Sequence, residues 1–76
     1  MTNLEKVKQN GHNIMHIDNP TSKVQLEAVK KNGSSIQYID NPTLEVQIVS
    51  LRQSPELKDH KKINKKLKQT HPEFWF

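Results

Sequence analysis

Residues 26–47 read LEAVKKNGSSIQYIDNPTLEVQ, and residues 4–25 read LEKVKQNGHNIMHIDNPTSKVQ. Set at an offset of 22 residues, the two stretches agree at 14 of 22 positions, far beyond chance. A fixed period of this length marks a repeated supersecondary unit. A third copy opens at Ile48 with IVSLRQ and then departs, with Ser54-Pro55 standing where Asn-Gly stood. The repeats occupy residues 4–25, 26–47 and the start of a third at 48–53, within a repeat region of residues 1–53.

Each unit carries helix punctuation. Asn19-Pro20-Thr21 and Asn41-Pro42-Thr43 supply a side-chain cap, from either Asn or Thr, and a proline suited to a first helical turn. Thr2-Asn3-Leu4-Glu5 fits a capping box. The runs before Asn10-Gly11 and Asn32-Gly33 end where glycine permits the left-handed conformation that stops a helix. Ile14 with Ile17, and Ile36 with Ile39, have the i, i+3 spacing of one or two further helical turns. Asn-Gly between apolar runs also marks hairpins, and Ile36–Ile39 fits a short strand. The helix formers Gln25–Lys31 ahead of it favour a helix followed by a short helix. On a wheel of about 100° per residue, Val24, Leu26, Ala28 and Val29 cover roughly 200°, which suits a helix with neighbours on both sides.

The string Ala28-Val29-Lys30-Lys31-Asn32-Gly33, then Ile36, Ile39 and Asn41-Pro42-Thr43-Leu44-Glu45-Val46-Gln47, resembles a family of short helical repeats from phage, bacteria and large viruses. The resemblance covers residues 4–51 and implies a repeat architecture. It also implies an interaction array, in the manner of a small phage-encoded accessory or host-targeting inhibitor protein in the host cytoplasm.

Residues 54–76 differ in character. Residues 1–50 balance five lysines against five acids, so the formal net charge of +4 lies entirely in residues 51–76. Ser54-Pro55-Glu56 reads as a helix start, and Leu57, Ile63 and Leu67 form a narrow stripe, which predicts a basic helix from Pro55 to about Gln69. It should stop by His71-Pro72. The lysines Lys58, Lys61, Lys62, Lys65, Lys66 and Lys68 read as a solvated face or as an electrostatic footprint for nucleic acid. No nucleic-acid-reading motif accompanies them, which favours the solvated face. Phe74, Trp75 and Phe76 form an aromatic terminus that folds back to close the stack or serves as an interface anchor.

Catalytic chemistry finds no footing. The histidines His12 and His16 have the spacing of a helical metal pair, but no third ligand is identifiable and the second repeat has Ser34 and Tyr38 in their place. No nucleophile elbow, phosphate loop or paired carboxylates can be placed. Without cysteine there is no disulfide and no thiolate metal site, and no apolar run has the roughly 20 residues that span a bilayer.

The expectation is an all-α, solenoid-like bundle: two 22-residue repeats, a degenerate third whose helix runs from Thr43 to about Arg52, and the basic helix, in one compact domain. Function is expected to be protein–protein interaction with a host protein or a second copy, without cofactor, metal or membrane. Repeats vary where they recognise, so the expected contact positions are His12, Asn13, Met15 and His16 with Ser34, Ser35, Gln37 and Tyr38. The aromatic terminus is a second candidate, and nucleic-acid binding through the lysines is the alternative.

Overall fold

The computed structural model describes residues 1–75, and every regular element among them is helical. Three α-helices are each followed by a 3-10 helix (η): α1 (Asn3–Gln9) and η1 (Gly11–His16), α2 (Ser22–Lys31) and η2 (Gly33–Tyr38), α3 (Leu44–Gln53) and η3 (Pro55–Asp59). A short α4 (Leu67–Thr70) and η4 (Pro72–Phe74) complete the described chain.

Threonine caps the first three α-helices. Thr2 and Glu5 exchange the two hydrogen bonds of a capping box, at 3.1 and 3.0 Å. Thr21 and Thr43 accept the Val24 and Val46 backbone N–H groups at 3.3 and 3.2 Å. The prolines therefore stand before the caps rather than inside the first turn. Their carbonyls are held instead by the side chains of Gln25 and Gln47, whose Nε2 groups donate to Pro20 and Pro42, each at 3.0 Å.

The glycines act differently from the sequence expectation. Neither has a positive φ; α1 and α2 end on Asn10 and Asn32 in extended conformation, and the positive φ belongs to Asn19, at 50°. Close approach is what requires glycine. A Cβ on Gly11 would run into the Ala28 carbonyl oxygen and lie 2.7 Å from Ser35 Oγ, and one on Gly33 would strike Ser54 Oγ and lie 2.9 Å from the Ser50 carbonyl. The Gly11 N–H donates to Asn32 Oδ1 at 2.8 Å, while Ser50 Oγ donates to the Gly33 carbonyl at 2.8 Å. Each glycine is thus where one unit's 3-10 helix rests on the next unit's α-helix.

The buried apolar residues recur at the repeat offset. Val7, Val29 and Leu51 are fully buried, as are Ile36 and, nearly, Ile14. Val24 pairs with Val46, and Ala28 with the buried Ser50. Helix α2 packs against both α1 and α3, so its wide apolar arc is covered on both sides. The corresponding positions at α1, Thr2 at its cap and Lys6 within it, are exposed and polar.

The continuous basic helix from Pro55 to Gln69 does not form. The chain is helical only over Pro55–Asp59 and Leu67–Thr70, and His60 is extended between them (φ −67°, ψ 144°). Side chains take the backbone groups that a helix would need. His60 Nδ1 accepts the Lys62 N–H at 3.0 Å, Asn64 Oδ1 accepts the Lys66 N–H at 2.9 Å, and the Asn64 N–H turns away to Gln47 Oε1. This competition is the reason such residues disfavour helix interiors. The break lets Ile63 and Leu67, 4% and 2% exposed, join the core. Phe74 and Trp75 are half-buried against it, as a folded-back terminus requires; Phe76 lies outside the described residues.

Candidate functional site

The short 3-10 helices and the Asn-Pro turns after them build one side of the molecule. On η1 and η2, His12 Nε2 and Ser34 Oγ are hydrogen-bonded at 2.8 Å, and the Tyr38 ring meets His12 edge-on with centroids 5.9 Å apart. Met15 and Tyr38 stand 53% and 38% exposed, large apolar surface for a chain of this size. Together they line an open groove of about 660 Å³ that runs between the two Asn-Pro turns and includes Ile17, Asp18, Gln25, Asp40 and Asn41.

The expected contact positions therefore divide. His12, Ser34 and Tyr38 come together, Met15 and Tyr38 line the groove, and His12, Ser34 and the exposed His16 and Gln37 lie on the same two helices without lining it. Of the other two, Ser35 is removed from the surface, whereas Asn13 stays partly exposed. Ser35 is fully buried, with its hydroxyl unpartnered, and Asn13 spends its amide on the Lys6 carbonyl at 2.8 Å. As for the histidine pair, a 3-10 helix turns about 120° per residue, which places His12 and His16 about 120° apart instead of on one face. Among the described residues no group of three His, Asp or Glu side chains is placed to hold a metal.

Asp18, Gln25, Asp40 and Asn41 belong to positions that repeat unchanged, so sequence variation does not mark them as binding residues. The available signal was that repetition itself, since an acid recurring at the repeat offset sets two carboxylates beside one groove. The ion pair found among the described residues is Lys30–Glu27, at 3.7 Å, so neither aspartate carboxylate is in an ion pair there, although Lys62 Nζ lies at the Asp40 carbonyl. A second groove, of about 540 Å³, lies between α2 and α3 over the half-buried Leu26 and Val49, with Lys23, Lys30 and Arg52 among its rim residues.

Lys61, Lys62, Lys65 and Lys66 fall on turns, with Lys58 on η3 and Lys68 on α4, so the six share no continuous helix face. Lys61, Lys65, Lys66 and Lys68 are exposed, Lys58 is half-buried, and Lys62 Nζ donates to the Asp40 carbonyl at 3.3 Å. No helix among the described residues is long and apolar enough to cross a membrane.

No family model, curated protein or solved structure matches the chain. The resemblance to the phage, bacterial and large-virus repeats gains no support from these comparisons and rests on the residues of 4–51 alone.

Proposed function

We propose that the protein is a non-catalytic protein–protein interaction module, a short stack of helical repeats that binds through the face made by η1, η2 and the turns after them. It would act as an accessory or inhibitory protein by covering a surface of its partner. The observation that carries this reading is the pairing of exposed Met15 and Tyr38 on one groove. Amphipathic aromatics and methionine are favoured where proteins meet. The stack itself is supported by bonds repeated at the offset of the sequence repeat: Thr21 and Thr43 as caps, and Gln25 and Gln47 on the proline carbonyls.

The test is site-specific photo-crosslinking in native cells, with a benzophenone amino acid at position 15, 38 or 68. Adducts to one defined protein from positions 15 and 38, and not from 68, are the expected result. Nucleic-acid adducts from position 68, with no protein adduct from the groove, would replace this reading with polyanion binding by the lysines of residues 58–68.

A further inference from the structure

Beside the second unit, the chain fills a small site with its own residues 62–64. Lys62 Nζ donates to the Asp40 carbonyl at 3.3 Å, Ile63 is buried, and the Asn64 N–H donates to Gln47 Oε1. Gln47 is anchored in turn on the Pro42 carbonyl. The same anchored glutamine occurs one unit earlier, with Gln25 Nε2 on the Pro20 carbonyl. What the first unit lacks is the remainder. At the repeat offset, Asp40 stands where Lys62 does and Pro42 where Asn64 does. One brings no cation and the other has no N–H. Gln25 Oε1 is accordingly buried without a donor, and the groove that Gln25 lines stays open, with Asp18 and Asp40 beside it and Met15 and Tyr38 along it.

We propose that this groove takes a short lysine- or arginine-bearing segment of another protein. The proposal rests on the interaction reading above and names the partner's chemistry. The cation lies against Asp18 and Asp40, whose carboxylates have no other ion pair among the described residues. Its aliphatic stem covers Met15 and the Tyr38 ring, the usual way a long basic side chain uses an apolar surface. Residues 62–64 supply a precedent for the seating within the chain itself: Lys62 Nζ meets the Asp40 backbone carbonyl and the Asn64 N–H meets the corresponding glutamine. The formal net charge of +4 repels a basic segment at long range, so recognition depends on these local carboxylates.

The test titrates the isotope-labelled full chain with a blocked hexapeptide of sequence KKINKK, and in parallel with QQINQQ, followed by amide chemical shifts. Saturable shifts at Ile17, Asp18, Tyr38, Asp40 and Asn41 with the basic peptide only are expected. Asp18→Asn combined with Asp40→Asn should weaken binding about fivefold to tenfold, the effect of losing two exposed ion pairs. Absence of shifts at millimolar peptide, shifts centred elsewhere, or equal binding by the double variant would each overturn the proposal. Photo-crosslinks from position 38 that persist in the double variant would leave the interaction reading standing and overturn this one; their loss in the double variant supports it.

Discussion

Replacing Gly11 by alanine tests the joint between the first two units. Gly11 has an ordinary negative φ, so alanine is conformationally acceptable there, and the restricted unfolded chain alone would stabilise the protein by about 0.4–1 kcal/mol. The packing says the opposite. The new methyl group would collide with the Ala28 carbonyl, part of the α2 backbone, and crowd Ser35 Oγ at 2.7 Å and Asn32 Oδ1 at 3.0 Å. Overpacking of this kind costs about 1–3 kcal/mol. Displacing Gly11 also weakens its bond to Asn32 Oδ1, worth about 1 kcal/mol. The net expectation is a loss of about 2 kcal/mol, set against a total stability of only a few kcal/mol for so small a domain. The thermal midpoint should fall by about 10 °C on the scale for domains of this size. Urea and thermal unfolding followed by circular dichroism read the effect, with Asn32→Ala and the double variant completing a cycle. A midpoint that rises in Gly11→Ala would refute the argument, because it would mean that no backbone lies against that position.

Three further perturbations have definite signs. Gln47→Ala should destabilise the chain by about 1 kcal/mol more than Gln25→Ala, since Gln47 both donates to Pro42 and accepts from Asn64 whereas Gln25 makes the first bond alone; equal losses by urea unfolding would contradict this. Ser35→Ala should be neutral or stabilising by up to about 1 kcal/mol, because the buried hydroxyl has no partner to lose, and a clear fall in the thermal midpoint would show a missed bond. The Thr2 backbone and hydroxyl hold the Glu5 carboxyl below its ordinary value of 4.5. A depressed folded value adds stability that is present above 4.5 and lost as pH falls through the folded value. The Cα shifts of Lys6 and Val7 should therefore drift toward coil values on acidification below that point, and a Glu5→Gln variant showing the same drift would sink the attribution.

How much of this was legible depends on how local the determining contact is. The alternation of long and short helices and the Thr2 capping box follow from neighbours in sequence, and they appear as the pattern suggests. Glycine after asparagine was read through local conformation, yet the constraint comes from Ala28, 17 residues on, pressing on Gly11. The same distance separates Asn64 from Gln47, and that one bond helps to unmake the helix that the lysine-rich run would otherwise favour. Position 42 shows the limit well. Proline there reads locally as helix punctuation, while its missing N–H leaves the Gln25 Oε1 acceptor without a donor. The candidate site is visible as varying residues, but the turn acids beside them, identical between the two units, need the fold to be set on one groove.

The joint at Gly11 has a consequence for chemical lifetime. Asn-Gly is the dipeptide most prone to deamidation, because the glycine nitrogen reaches the asparagine side chain with nothing in the way. Here Gly11 is buried with its nitrogen tied to Asn32 Oδ1, and Gly33 is buried under Ser50 and Ser54. Ring closure at Asn10 requires that nitrogen to leave its partner, and at Asn32 it consumes the very amide that joins two units. The folded chain should therefore age slowly at both sites and the urea-unfolded chain quickly, by mass spectrometry; equal rates would show that the joints open freely. Where the succinimide at Asn32 opens to isoaspartate, an extra backbone atom displaces the acceptor of Gly11, so damage at one unit loosens its neighbour.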